Sequence, residues 1–197
     1  MFILYALVIG IAVGLAGRGR IAGLADIQIR WPGLLLGGFI AQFILFTPWV
    51  TDRIGAAGPP LYVVSTLLVG LAVVRNVALP GFPLVIAGAA CNMAAILANG
   101  GFMPAAPAAL ASLGKGAPTT YSNSSVVPAP SLELLTDRFA LPGWLPFANV
   151  FSVGDVLIGL GVVVFIVAMM RTTHHAREVV QSAPTGRPRP ERARLGG

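Results

Sequence analysis

The stretch IGAAGPPLYVVSTLLVGLAVV, residues 54–74, contains no Asp, Glu, Lys or Arg. Other stretches share this feature: residues 1–17, 31–51 and 156–170, and one that begins at Asn76 and continues past Met103. A helix needs roughly 20 mainly apolar residues, with a range of about 17–25, to cross the hydrocarbon core of a bilayer. Once a few interfacial residues are added, each stretch is near that length, so the pattern predicts a polytopic membrane protein.

The whole chain is more apolar than an ordinary soluble domain, with 56% hydrophobic residues, 10% charged residues and a mean hydropathy of +0.83. A soluble all-helical bundle is the alternative class, but it would need polar helix faces that these stretches lack. We therefore predict an all-α fold, a membrane bundle of about five transmembrane helices with a structured outer loop over residues 103–151. The predicted spans are about 1–17, 32–50, 60–75, 82–98 and 153–170.

These spans make residues 1–171 one transmembrane domain. The remaining residues, 172–197, are a mixture of Pro, Gly and Arg toward their end and are too polar to bury a core. We predict that they form a disordered basic tail, held near anionic headgroups by its arginines.

The placement of basic residues predicts an orientation. With the N-terminus outside, Arg53, Lys115 and Arg138 lie in outer connections, and the other ten of the 13 basic residues lie inside. Cytoplasmic connections collect Lys and Arg, so we predict a multi-pass cell-membrane protein with an outer N-terminus and a cytoplasmic C-terminus.

The first apolar stretch has two interpretations. A cleaved signal sequence would carry positive charge before its apolar core, whereas here the first basic residue, Arg18, follows it. We therefore expect a retained span. Gly10 and Gly14 form a G-x-x-x-G pair that either admits a closely packed second helix or reflects the general enrichment of Gly in membrane helices.

Few polar residues interrupt the predicted spans. Gln42 falls near the middle of the second span, and Asn92 and Asn99 share one face of the fourth, seven residues apart. An amide in hydrocarbon needs a partner, so these side chains should face other helices. They either line a polar pathway or form interhelical hydrogen bonds that only pack the bundle.

The last span begins with Ser152 and Asp155, which have the spacing of a capping box with Asp in place of Glu or Gln. The alternative is that Asp155 is a buried acid facing the bundle and binding a cation or proton. Asn99 ends one predicted span and Asp155 begins the next, so both should lie at the outer boundary. We predict a polar cluster there whose members are Asn99, Asp137, Arg138, Asn149 and Asp155.

The sequence predicts no catalytic residues, no metal site and no cofactor. Cys91 is the only cysteine, and no His lies in the spans or the outer loop to activate it. His174 and His175 are adjacent but have no further ligands nearby in sequence. The net charge of +6 points to an anionic membrane surface, and we do not expect nucleic acid as a partner.

Several segments together resemble a known family. They are Asn99-Gly100-Gly101-Phe102-Met103-Pro104, the patch at 121–123, residues 135–138 and, above all, Asn149-Val150-Phe151-Ser152-Val153-Gly154-Asp155. They are similar to those of a family of small bacterial multi-spanning membrane proteins of unknown function. The resemblance covers about residues 1–171. It implies a membrane protein of this size and no activity, substrate or cofactor.

Three functional classes remain open. The first is a non-enzymatic accessory or binding component whose outer loop caps the bundle and contacts a membrane protein partner, a second copy or lipid. The second is a small-molecule or ion transporter or channel that uses the polar residues of the spans. The third is a membrane enzyme acting on lipid or isoprenoid groups, which would need paired acids on the outer side. The first requires nothing that the sequence lacks.

Overall fold

The computed structural model describes residues 2–114 and 124–182, and these are mostly helical. The helices are α1 (Phe2–Ala16), α2 (Pro32–Leu45), α3 (Pro48–Ile54), α4 (Gly58–Arg75), α5 (Phe82–Ala98), α6 (Pro107–Ser112) and α7 (Val153–Ser182). Single 3-10 segments cover Ile21–Asp26, Gly55–Ala57 and Glu133–Leu135. Helices α2 to α6 each carry Pro in the first turn, where its missing N–H removes no helical hydrogen bond.

The helix predicted over residues 32–50 is shorter than expected and ends at Leu45. The reason lies in the next residues, because Pro48 disfavours a helical conformation at Thr47, which is extended (φ −74°, ψ 140°). The Thr47 hydroxyl donates to the Ile44 carbonyl at 2.8 Å and helps to close the end of α2. A new helix, α3, then leads through a 3-10 turn into α4.

Helix α7 lies between α1 and α5. It runs parallel to α1, since Gly10 faces Ile166 and Gly14 faces Met170. The prediction that the Gly10 and Gly14 pair admits a second helix is therefore confirmed, and the second helix is α7.

Helices α5 and α7 are antiparallel and very close. A Cβ added to Gly81 would lie 2.0 Å from the Gly161 carbonyl oxygen, and one added to Gly88 would lie 2.4 Å from that of Gly154. Gly154 and Gly161, seven residues apart, lie on one face of α7; they meet Gly88 of α5 and Gly81 in the turn just before α5. Backbones can approach this closely only where side chains are absent.

The remaining helices pack as antiparallel neighbours. A short turn at residues 76–81 joins α4 to α5, and Gly81 closes it with a left-handed φ of +82°. Helix α2 lies along α4, where Gly38 faces Val69. The buried residues Val69, Val73 and Phe82 connect these helices in one apolar cluster, against which Phe165 of α7 packs.

Among the described residues, two helical stretches are long and apolar enough to cross a membrane: Trp49–Arg75 and Val153–Arg171. Within an 18-residue apolar segment of each stretch, only 17% of the first and 28% of the second is buried inside the protein. Most of their apolar side chains therefore face outward. The other apolar helices, α1, α2 and α5, are shorter. Length and composition thus support a membrane protein, and the five-span arrangement stays a prediction.

Residues 99–114 and 124–152, here called the cap, cover the end of the bundle at which α5 ends and α7 begins. Strand β1 (Met103–Pro104) pairs in parallel with β2 (Ser124–Ser125), and β3 (Phe139–Ala140) pairs antiparallel with β4 (Val150–Phe151). The outer loop predicted over 103–151 is therefore structured in its described parts. Its two small sheets are a departure from the predicted all-α fold. The predicted family segment at 121–123 lies outside the described residues.

The first residues of the predicted disordered tail, 172–182, are helical. Helix α7 continues to Ser182 instead of ending near residue 170. Residues 172–182 contain no Gly or Pro, so nothing in them stops the helix before Pro184. Residues 183–197 of the predicted tail lie outside the described part of the chain.

Candidate functional site

A group of hydrogen-bonded polar side chains at the cap end joins α5 to the start of α7. Asn92 Nδ2 donates to Asp155 Oδ1 at 2.9 Å, and the Ser152 hydroxyl donates to Asn92 Oδ1 at 2.8 Å. Ser152 is fully buried. We call the three residues Asn92, Ser152 and Asp155 the junction.

The junction contains the capping box predicted from sequence, and that prediction is confirmed. The Asp155 backbone N–H donates to the Ser152 hydroxyl oxygen, and the Ser152 N–H donates to Asp155 Oδ2, both at 3.1 Å. The carboxylate therefore accepts two hydrogen bonds and lies at the positive end of the α7 dipole. This arrangement satisfies a half-buried carboxylate for which the described residues provide no ion pair.

Glycines make the junction possible. A Cβ added to Gly154 would lie 1.9 Å from Asn92 Oδ1, so a side chain there would displace the amide. The Asn92 amide occupies the space that the absent side chain of Gly154 leaves.

Asn99 anchors the cap to the end of α5. Its side chain exchanges two hydrogen bonds of 2.9 Å with the backbone of Ser131, donating to the carbonyl and accepting from the N–H. It also donates to the Ala95 carbonyl at 2.7 Å, within its own helix.

The other predicted cluster residues lie within the cap. Asp137 is buried, and its backbone pairs with Pro104 and Ala106, each at 2.9 Å. Arg138 forms an ion pair with Glu133 at 3.5 Å, and the Asn149 carbonyl accepts from the Leu141 N–H at 3.0 Å.

The predicted residues thus share one end of the bundle, where Asp155, Asn99 and Arg138 each have a different side-chain partner. Asp155 bonds to Asn92, which was predicted as a separate intramembrane polar residue, and Asn99 bonds to Ser131. That the five residues form a single functional cluster stays a prediction. Tyr62 of α4, which packs against the buried cluster of Ala95, Ile96 and Met103 next to the cap, was missed. The feature of the sequence that could have indicated it is that Tyr62 is the single Tyr of the uncharged stretch 54–74.

Gln42 has a partner in the neighbouring helix. Its Nε2 donates to the Thr66 hydroxyl oxygen at 3.1 Å, and that hydroxyl donates to the Tyr62 carbonyl at 2.8 Å. The expectation that Gln42 faces other helices is confirmed, and the contact is an interhelical hydrogen bond between α2 and α4.

The cap has its own small apolar core, made of Ala105, Ala109, Leu110 and Val150. Beside it lies an open cleft of about 420 Å³. Its walls include four prolines, Thr136 and the ion pair of Glu133 with Arg138; the prolines are Pro104, Pro107, Pro128 and Pro130. Rigid proline walls with one charged pair suit the binding of a ligand or partner segment at little cost in conformational entropy.

The cap is also tied to the first helix. Phe151 stacks on Phe2 with ring centroids 4.7 Å apart and on Phe139 at 5.5 Å. The Tyr5 hydroxyl donates to the Pro146 carbonyl. The start of α1 therefore lies at the cap end of the bundle.

Residues 26–167 match DUF5317, a family of unknown function. The chain belongs to this family. The DUF5317 match takes in the junction, the cap and the glycines shared by α5 and α7, and it begins after α1. No curated protein and no solved structure matches the chain. The expected membership of a family of unknown function is confirmed, while the bacterial, multi-spanning character that the resemblance implied stays an expectation.

Proposed function

We propose that the protein is a five-span integral membrane protein that acts as a non-enzymatic binding component, with the cap as its contact surface. The observation that carries the membrane placement is the outward-facing apolar surface of its helices. Leu36, Phe43 and Leu67 are each more than half exposed, at 64%, 72% and 53%. A bilayer would cover these side chains, whereas the core helix of a soluble protein would have them buried.

The five-span arrangement is supported by how the shorter helices pack. Helices α1 and α5 lie lengthwise against α7, and α2 lies lengthwise against α4. Because each shorter helix runs alongside one of the two long apolar helices, it would cross the same thickness of bilayer. The alternating directions of α2, α4, α5 and α7 agree with the alternation that successive spans require.

The orientation is supported by the distribution of charge between the two ends. The end opposite the cap, here called the arginine end, carries Arg18, Arg20, Arg30, Arg75 and Arg171. Asp52, Glu133, Asp137 and Asp155 belong to the cap end, together with Arg53 and Arg138, whereas Asp26 lies at the arginine end and Glu178 follows Arg171 on α7. Because basic residues gather on the cytoplasmic side, the arginine end faces the cytoplasm and the cap faces outward.

Exposed aromatic residues fit this placement. Trp49, Trp144 and Phe147 are exposed at the cap end, and Trp31 is exposed at the arginine end. Trp at both ends of a bundle is typical of anchoring at the two headgroup layers.

The binding role rests on the cap cleft and on the state of the polar side chains within the bundle. Gln42 is paired with Thr66, and Asn92 is paired with Ser152 and Asp155. These side chains bond to one another and so pack helices together, whereas a transporter would direct such groups toward a passing solute. The cleft beside Glu133 and Arg138 is the open polar surface that a partner would contact.

The test compares two tryptophan substitutions in the tagged full chain, purified from native membranes in mild detergent. Ala129→Trp fills the cap cleft, and Ala56→Trp adds the same bulk at an exposed position of the same end. We expect mass spectrometry to find a stoichiometric protein or lipid with the wild type and with Ala56→Trp, and to find it lost with Ala129→Trp.

Two outcomes would contradict the proposal. The first is a wild-type chain that purifies without any stoichiometric component. The second is solute flux through vesicles containing the purified chain alone, which would favour the transporter alternative; turnover of a lipid or isoprenoid substrate would favour the enzyme alternative.

A further inference from the structure

A second cleft, of about 370 Å³, lies at the arginine end. It is formed where the segment before α2 meets the turn after α4. Its polar walls are Gln28, Arg30, Arg75 and Asn76, and its apolar walls include Ile29 and Leu79. The cleft is separate from the cap and uses none of the residues discussed there.

The base of this cleft is held rigidly by Asn76, which is only 4% exposed. Its amide oxygen accepts from the Arg30 N–H at 2.8 Å, and its amide nitrogen donates to the carbonyls of Arg30 and Ala72, also at 2.8 Å. Every hydrogen-bonding group of the Asn76 side chain is therefore engaged. The contacts fix the backbone of Arg30 against the end of α4 before any ligand binds.

Two guanidinium groups are available at this cleft. Arg30 and Arg75 are both exposed, and among the side chains that the structure describes neither forms an ion pair. The Arg75 Cζ atom lies 6.0 Å from the centre of the Trp31 ring, which helps to hold it near the cleft. Paired guanidinium groups with several donors each match the oxygens of a phosphate group.

We infer that this cleft binds the phosphate of an anionic phospholipid headgroup. Apolar side chains favour a lipid over a free phosphate ion: Val74 and Val77, on either side of Arg75, are about half exposed, and Leu71 continues this surface along α4. They would contact the acyl chains while the arginines contact the headgroup. Basic clefts between membrane helices on the cytoplasmic side commonly bind anionic headgroups.

This inference rests on the proposed membrane placement, and the experiment is chosen to separate the two. A full-length chain with Trp49→Phe and Trp144→Phe keeps Trp31 as its only tryptophan. It is reconstituted in phosphatidylcholine vesicles containing either brominated phosphatidylcholine or brominated phosphatidylglycerol. Bromine quenches tryptophan fluorescence at short range, so quenching of Trp31 reports which lipid lies beside the cleft.

We expect phosphatidylglycerol to associate about tenfold more tightly than phosphatidylcholine, since each surface arginine favours an anionic lipid by about a factor of several. The double variant Arg30→Gln/Arg75→Gln should lose this preference. The matched control Arg18→Gln/Arg20→Gln removes the same charge from the same membrane surface outside the cleft, and it should keep most of the preference.

The outcomes are distinct. Quenching of Trp31 by neither lipid would contradict the membrane placement itself. Equal quenching by both lipids, or an equal loss of preference in the two double variants, would overturn the headgroup site alone. Inorganic phosphate is added as a competitor, with chloride at the same ionic strength as its control. If phosphate abolishes the preference and chloride does not, the cleft binds a free phosphate ion, and the proposed lipid site is overturned.

Discussion

Asn92 Nδ2 donates to Asp155 Oδ1 at 2.9 Å and thereby ties the middle of α5 to the first turn of α7. The same amide accepts from Ser152, so one side chain satisfies two groups of the capping box. The contact places a carboxylate at the boundary between the cap and the bundle.

Replacing Asn92 with Ala should destabilise the protein. The substitution leaves the buried Ser152 hydroxyl without its acceptor and removes one of the two donors to the Asp155 carboxylate, at a cost of about 1–3 kcal/mol. The measurement is the thermal unfolding midpoint of the purified protein in detergent. Asp52→Asn, at an exposed acid of the same end, is the control and should leave the midpoint unchanged. An unchanged midpoint for Asn92→Ala would show that the junction does not stabilise the fold.

Replacing Gly88 with Ala should separate α5 from α7. The added methyl group would lie 2.4 Å from the Gly154 carbonyl oxygen, which belongs to the backbone and cannot rotate away. Overpacking of this kind typically costs about 1–3 kcal/mol. Gly37→Ala is the matched control in α2, because nothing lies within 4 Å of its added Cβ. It should be neutral or stabilising through helix propensity, and equal midpoints for the two variants would contradict the close packing.

The Gln42 and Thr66 side chains should show a small, measurable coupling. Hydrogen bonds between membrane helices average about 0.6 kcal/mol and reach about 1.7 kcal/mol. A double-mutant cycle of Gln42→Leu and Thr66→Val, followed by unfolding in detergent, should give a coupling energy in that range. Strictly additive effects would mean that Gln42 does not depend on Thr66.

Single cysteines should report the orientation. In a Cys91→Ala background, Ala129→Cys in the cap should react with an impermeant maleimide on intact cells. Ala25→Cys at the arginine end should react only after the membrane is permeabilised. The reverse pattern would invert the orientation, and equal labelling of both sites on intact cells would contradict a membrane between them.

Local chemistry was predicted well where it depends on neighbouring residues. The capping box of Ser152 and Asp155 follows from a spacing of three residues. The G-x-x-x-G pair of α1 was recognised, although its partner α7 was not. The break at Thr47 was missed because the apolar run continues through Pro48, and hydropathy does not register the conformational restriction that proline imposes.

What the sequence alone determined was the apolar character of the helices, the chemistry of their ends and the polar residues that need partners. Only the tertiary structure decided which partners they have: Asn92 for Asp155, Ser131 for Asn99, Thr66 for Gln42. These pairs are far apart in the chain, at 63, 32 and 24 residues for the three contacts. These contacts form only when the elements that carry the two residues pack against each other. Which helices pack together is determined by close backbone contacts, such as that of Gly88 with Gly154. Helical periodicity predicts which face of a helix such a glycine lies on, but not which helix it contacts.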